Sequence, residues 1–115
     1  MSRQVKTFIK TYDYKEIAAN SADMVFKQEI GQGQVGFVDK IGNSWAVNTV
    51  YEIYIDGQVF MTLNRQLASL TDPHIFRPPV VFHRSISFFG INKTAAAVTF
   101  EVVCDGMIYD DFQNI

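Results

Sequence analysis

The sequence predicts an all-β chain: an antiparallel β-sandwich of Greek-key or jelly-roll type, with about eight short strands. Three observations lead there. Apolar residues recur from end to end in short runs bounded by Gly, Pro, Asn or Asp, the pattern of strands and turns. Aromatic content is 14%, with 10 Phe, and aromatic and β-branched side chains suit a pleated, half-buried surface. Two Asp-Gly pairs, Asp56-Gly57 and Asp105-Gly106, each stand between β-rich runs. A type I′ hairpin turn needs positive φ at both central residues, which Asp and Gly tolerate best. A single sheet would leave one face of Phe-rich strands in water, so two packed sheets are preferred, with a small closed barrel second.

Along the chain, residues 5–14 alternate, with Lys6, Phe8, Lys10 and Tyr12 on one side, which predicts a partly exposed strand. Residues 17–23 are the one stretch that suits a helical turn. Residues 24–30 predict a strand with Met24, Phe26, Gln28 and Ile30 on one face. Gly31-Gln32-Gly33 breaks the chain before a strand over 34–41, and Gly42-Asn43-Ser44 forms a turn. Residues 50–55 and 58–63 form the first hairpin around Asp56 and Gly57. Residues 64–79 are irregular, and Pro78-Pro79, lacking backbone donors, belong before a strand or on an edge. A long strand follows over 80–89, with Val80, Phe82, Arg84, Ile86 and Phe88 facing one way. Residues 90–93 connect it to a strand over 95–104, and Asp105-Gly106 turns that strand into a second hairpin.

The length of 115 residues predicts one domain, 1–115, and 48% hydrophobic content is enough for its core. A net charge of −2 with scattered Lys and Arg argues against a nucleic-acid partner. The nearest approach to a basic cluster is Arg3, Lys6, Lys10 and Lys15. No run is long and apolar enough for a membrane helix, and the first residues lack the apolar core of a signal peptide. Synthesis in a cytoplasm is therefore expected. The single cysteine, Cys104, flanked by valines, reads as a small buried hydrophobe.

Catalytic signatures are missing. Gly31-Gln32-Gly33-Gln34-Val35-Gly36 matches G-x-G-x-x-G in spacing, but a strand follows where a dinucleotide site needs a helix. His74, His83 and Cys104 are too few and too scattered for a zinc set. Ser85 and Ser87 share a strand with His83 without an elbow motif around them. Asp110-Asp111 with Asp105 and Glu101 reads as a solvated end. No enzyme activity, metal or cofactor is expected.

Two surfaces remain as candidates. The segment containing Leu70, His74, Ile75, Phe76, Arg77, Pro78 and Pro79 mixes apolar and cationic residues as an interface loop does, and equally suits a loop that covers its own core. Tyr12 and Tyr14 on one strand face, and Trp45, are candidates for stacking a carbohydrate or a protein partner. The termini, the first few residues and 111–115, have the character of arms.

The order Trp45-x-x-Asn48, Tyr51 to Asp56-Gly57, Phe76-Arg77-Pro78-Pro79, the strand over 80–88, Asn92, Glu101 and Asp105-Gly106 resembles the small β-sandwich proteins of bacteriophage virions, the capsid-associated and decoration proteins. That resemblance implies a non-enzymatic structural role in a virus particle. It implies self-association into a homo-oligomer or binding to a capsid lattice, with other virion proteins as partners.

Overall fold

The computed structural model describes residues 3–9 and 11–111. Nine strands follow one another: β1 (Arg3–Phe8), β2 (Tyr12–Ile17), β3 (Ser21–Glu29), β4 (Gln34–Asn43), β5 (Thr49–Ile55), β6 (Gln58–Leu63), β7 (His74–Phe82), β8 (Ser85–Asn92) and β9 (Val98–Asp111). No helix occurs among the described residues.

Every pairing is antiparallel. One sheet has the order β1-β9-β4-β7, with β2 also on β9; the other has the order β3-β8-β5-β6. β1 pairs with Met107 to Asp111 and β2 with Val98 to Val103, so the two lie end to end along β9 as one interrupted edge. The chain changes sheet at every connection except β1–β2 and β5–β6. This is the jelly-roll form of the sandwich expected from the alternating runs.

The core lies between the sheets. Val38, Ile41, Phe82, Phe100, Val102, Cys104 and Ile108 come from the first sheet, and Phe26, Tyr51, Ile53, Ile86 and Phe88 from the second. Tyr51 and Phe100 cross the gap with ring centroids 5.1 Å apart. Gly90 makes room for them: a Cβ there would lie 2.5 Å from the Phe100 ring and 2.8 Å from Ile17. Gly90 thus belongs to β8, not to the connection expected over 90–93, and its value is the missing side chain.

The first hairpin forms as expected, with Asp56 at φ 52° and Gly57 at φ 83°. The second does not form. Asp105 and Gly106 sit inside the 14-residue strand β9, and neither has positive φ. They lie opposite a bulge in β4, where Asp39 is left over between the pairs Val38–Gly106 and Lys40–Asp105. A Cβ on Gly106 would come within 2.2 Å of the Phe37 carbonyl oxygen, so this glycine permits close backbone approach and does not make a turn.

Three other expectations are corrected. The helical turn over 17–23 is a tight turn ending at Asn20, φ 54°, and β3 begins at Ser21. The long strand over 80–89 is two strands in different sheets, with His83 and Arg84 in the turn between them. The irregular 74–79 segment is the first part of the edge strand β7, not a loop. The prolines are tolerated because β7 leaves the ladder there: its pairs with β4 jump from Ile75–Lys40 to Val80–Val38.

The two flanks of the sandwich differ. On one, β2 and β3 run alongside each other, and Lys15 and Asp23 bridge them at 3.5 Å. On the other, β6 and β7 are the outermost strands of their sheets, and their backbones do not come together in the same way.

Candidate functional site

The β6–β7 flank gathers most of the predicted interface residues. Of the side chains half-buried against the core, Met61, Leu63, Leu67, Phe76 and Val80 all lie on β6, on β7 or between them. Phe60 is 43% exposed on the flank itself; Val59, 55% exposed, lies on the outer face of the second sheet opposite Tyr54, and Ile75 and Val81, 45% and 39% exposed, lie on the outer face of the first opposite Lys40 and Phe37. Phe60 reaches over to Phe76, ring centroids 6.3 Å apart, and His74 packs edge-on against Phe76 at 4.8 Å. Arg77, Pro78 and Pro79 form the outward excursion of β7, with a cis Arg77–Pro78 peptide, and with Asp39 and Lys40 they border an open hollow of about 560 Å³. Leu70 is half-buried in the β6–β7 connection.

Sequence reasoning missed Val59 and Phe60. Their signal was present: Gln58-Val59-Phe60-Met61-Thr62-Leu63 has no charge, which is unusual for an edge strand exposed to water. The β5–β6 register slips there, from Tyr54–Val59 to Ile53–Met61, so Phe60 is the left-over residue of a bulge, Val59 faces outward with Tyr54, and the Phe60 ring reaches Phe76 across the flank.

A second surface lies on the outer face of the first sheet. Tyr12 and Tyr14 stand side by side on β2 with ring centroids 6.0 Å apart and planes tilted by 33°; they are 44% and 61% exposed. Tyr14 is directly opposite Glu101 on β9, and Tyr12 opposite Val103. The Tyr12 hydroxyl donates to Glu101 Oε2 at 3.3 Å. Desolvation, and after it the Glu101 carboxylate, raise the pKa of Tyr12 above its ordinary value, which keeps the hydroxyl a donor. Glu101 is held by its own backbone: its N–H is shared by Ser44 Oγ at 2.9 Å and Tyr51 Oη at 3.2 Å, and its carbonyl accepts from the Ser44 N–H at 2.9 Å.

Trp45 does not join this pair. Its indole Nε1 donates to the Asn64 carbonyl at 2.9 Å, and no ring contact links it to either tyrosine. Glu101 was missed as a site residue because cross-strand register, which a single sequence does not reveal, is what places it beside the rings.

A groove of about 360 Å³ opens at the β4 bulge, lined by Phe37, Asp39, Pro79, Gly106, Met107 and Tyr109. Phe37 and Tyr109 meet edge-to-face there at 5.5 Å.

Asp56 has a structural task beyond its turn. Its carboxylate accepts the backbone N–H groups of His83, Arg84 and Ser85 at 3.0, 2.7 and 3.1 Å, clasping the β7–β8 turn to the β5–β6 hairpin. Desolvation pushes its pKa up, but these donors and the nearby His83 outweigh it and hold the carboxyl below its ordinary value.

No group of three or more His, Cys, Asp or Glu is placed to hold a metal among the described residues. Burial, with Asp105 and Asp39 adding to it, pushes the Cys104 thiol up to about 12, so it is a core hydrophobe and a poor nucleophile. His83 lies in a turn, exposed, and not on a strand beside Ser85 and Ser87. Lys10, residues 1–2 and residues 112–115 lie outside the described residues; Asp111, expected at the start of a terminal arm, ends β9 and pairs with Arg3 of β1. No known protein family matches the chain, and no curated protein resembles it significantly.

Proposed function

We propose that this chain is a non-enzymatic structural protein of a virus particle, working by self-association through the β6–β7 flank. The observation that carries the reading is the incomplete cover of the core along that flank. Half-buried Met61, Leu63, Phe76 and Val80 lie along the gap between the two sheet edges, beside Phe60, 43% exposed, on an edge strand without charge. Apolar side chains left half-covered between two strand edges suit an association surface. Apposed flanks would cover the core and give β6 a backbone partner. The jelly roll serves viral capsid proteins, though also lectins and cupins, so the virion reading rests on likeness of architecture and the association reading on the flank.

Size-exclusion chromatography with light scattering tests it. The wild-type chain is expected as a defined oligomer at micromolar concentration. Phe60→Asp, which puts a charge on a 43% exposed position at the rim of the core, is expected to shift it to monomer while far-UV circular dichroism stays that of the wild type. A wild-type monomer throughout that range overturns self-association.

A further inference from the structure

The tyrosine pair on β2 is the feature that neither folding nor the proposed assembly flank accounts for. Tyr12 and Tyr14 lie on the outer face of the first sheet, beside the flank that β2 and β3 already close. Large exposed aromatic rings cost the fold solvent-exposed apolar area and contribute little packing in return. Tyr14 is 61% exposed, and among the described residues the aromatic ring beside it is that of Tyr12.

From this arrangement we infer that Tyr12, Tyr14 and Glu101 form a binding platform for an uncharged, equatorially hydroxylated glycan chain.

Three features select that class. The two rings are neighbours on one exposed sheet face, centroids 6.0 Å apart and planes tilted by 33°, and offer aromatic surface to the C–H faces of successive pyranose units. The carboxylate stands beside the rings with one oxygen committed to Tyr12. Glu101 Oε1 has no partner among the described residues, so it is free to accept a sugar hydroxyl. Charge-assisted acceptance of this kind is about twice as strong as a neutral hydrogen bond. The double anchorage of the Glu101 backbone by Ser44 and Tyr51 fixes the acceptor before any ligand arrives, which lowers the ordering cost of binding.

Charge on β2 and the facing part of β9 disfavours the anionic alternatives. Glu16 follows Tyr14 on the same side of β2, opposite Thr99, so a uronate or sialate chain would meet carboxylates at two points. The nearest cation on β2, Lys15, points to Asp23 on β3 and is taken up there. The surface is a strip and not a pocket, which suits a segment within a polymer better than a terminal sugar.

The test is a ¹H–¹⁵N NMR titration of the full chain with cellohexaose, with N-acetylchitohexaose and with oligogalacturonate. A neutral hexaose is expected to give saturable shifts at the amides of Tyr12, Tyr14 and Glu101, half-complete at or below about 1 mM. Tyr14→Ala is expected to weaken binding about tenfold, one stacking contact's worth. Glu101→Gln keeps an acceptor but loses the charge, and is expected to weaken it less. Phe60→Asp is expected to leave it unchanged, which separates this platform from the assembly flank. The absence of saturable shifts with both neutral probes overturns the inference. So does binding that survives Tyr14→Ala, a preference for oligogalacturonate, or dissociation of an oligomer by Tyr14→Ala, which would place the pair in a protein contact.

Discussion

The β2–β3 flank and the β6–β7 flank border the same core and are built in opposite ways. The first is rich in charge, with Asp13, Lys15 and Glu16 on β2 and Asp23, Lys27 and Glu29 on β3. A short turn joins its strands, and Ile17, 2% exposed, closes the core behind them. The second has no charge on β6, and Arg77 is the one formal charge on β7. Its strands are joined by a long connection and leave apolar side chains half-covered. The same two-layer architecture is thus sealed by its own residues on one side and only partly covered on the other.

Equal truncations should separate the flanks most strongly. Ile17→Ala removes buried methylenes and leaves a cavity, and is expected to cost about 2–5 kcal/mol in urea unfolding. Ile75→Ala, at a 45% exposed site, should cost the monomer within about 0.5 kcal/mol. Similar losses at both sites would show that the open flank is already packed.

The next effect concerns the corner that locks the closed flank. The Asn92 side chain is buried, donates to the carbonyls of Ile17 and Ala96 at 3.0 and 2.9 Å, and accepts from the Thr94 N–H at 2.9 Å. Asn92→Ala strands these groups and is expected to cost about 1–3 kcal/mol per unsatisfied partner, read in the same unfolding assay.

A smaller, pH-dependent effect belongs to Asp56, which ties the strands leading into the open flank. Its folded pKa is depressed, so its clasp stabilises fully at pH above the unfolded value, about 3.9, and is lost as pH falls through the lower folded value. Asp56→Asn is expected to lower stability at neutral pH and to narrow its gap to the wild type as pH drops below about 4. A gap that does not change with pH would mean that the carboxylate's charge contributes nothing.

The architecture was legible wherever local chemistry decides structure. Asp56-Gly57 dictated its own turn, and the runs beside it marked β5 and β6 to within a residue, whereas β3 begins three residues before the expected strand and β4 runs on into the turn expected at Gly42-Asn43. It was illegible where distant strands decide. Asp105-Gly106 has the same local chemistry, but the bulge at Asp39 uses its glycine for close approach, so β9 runs straight through. The break at His83–Arg84 was hidden because residues 80–89 alternate without interruption; the turn is held by Asp56, far away in sequence. The candidate surfaces split the same way. Tyr12 and Tyr14 were visible as strand neighbours at i and i+2. Their partner Glu101 and the exposure of Phe60 depend on register and on sheet order, which no single segment encodes.

The comparison of flanks is tested most directly by hydrogen–deuterium exchange at two protein concentrations, followed peptide by peptide. Self-association through the open flank predicts that amides of β6 and β7 gain protection as concentration rises, while those of β2 and β3 stay unchanged. Concentration-independent exchange at β6 and β7, or protection that appears at β2 and β3 instead, would contradict it.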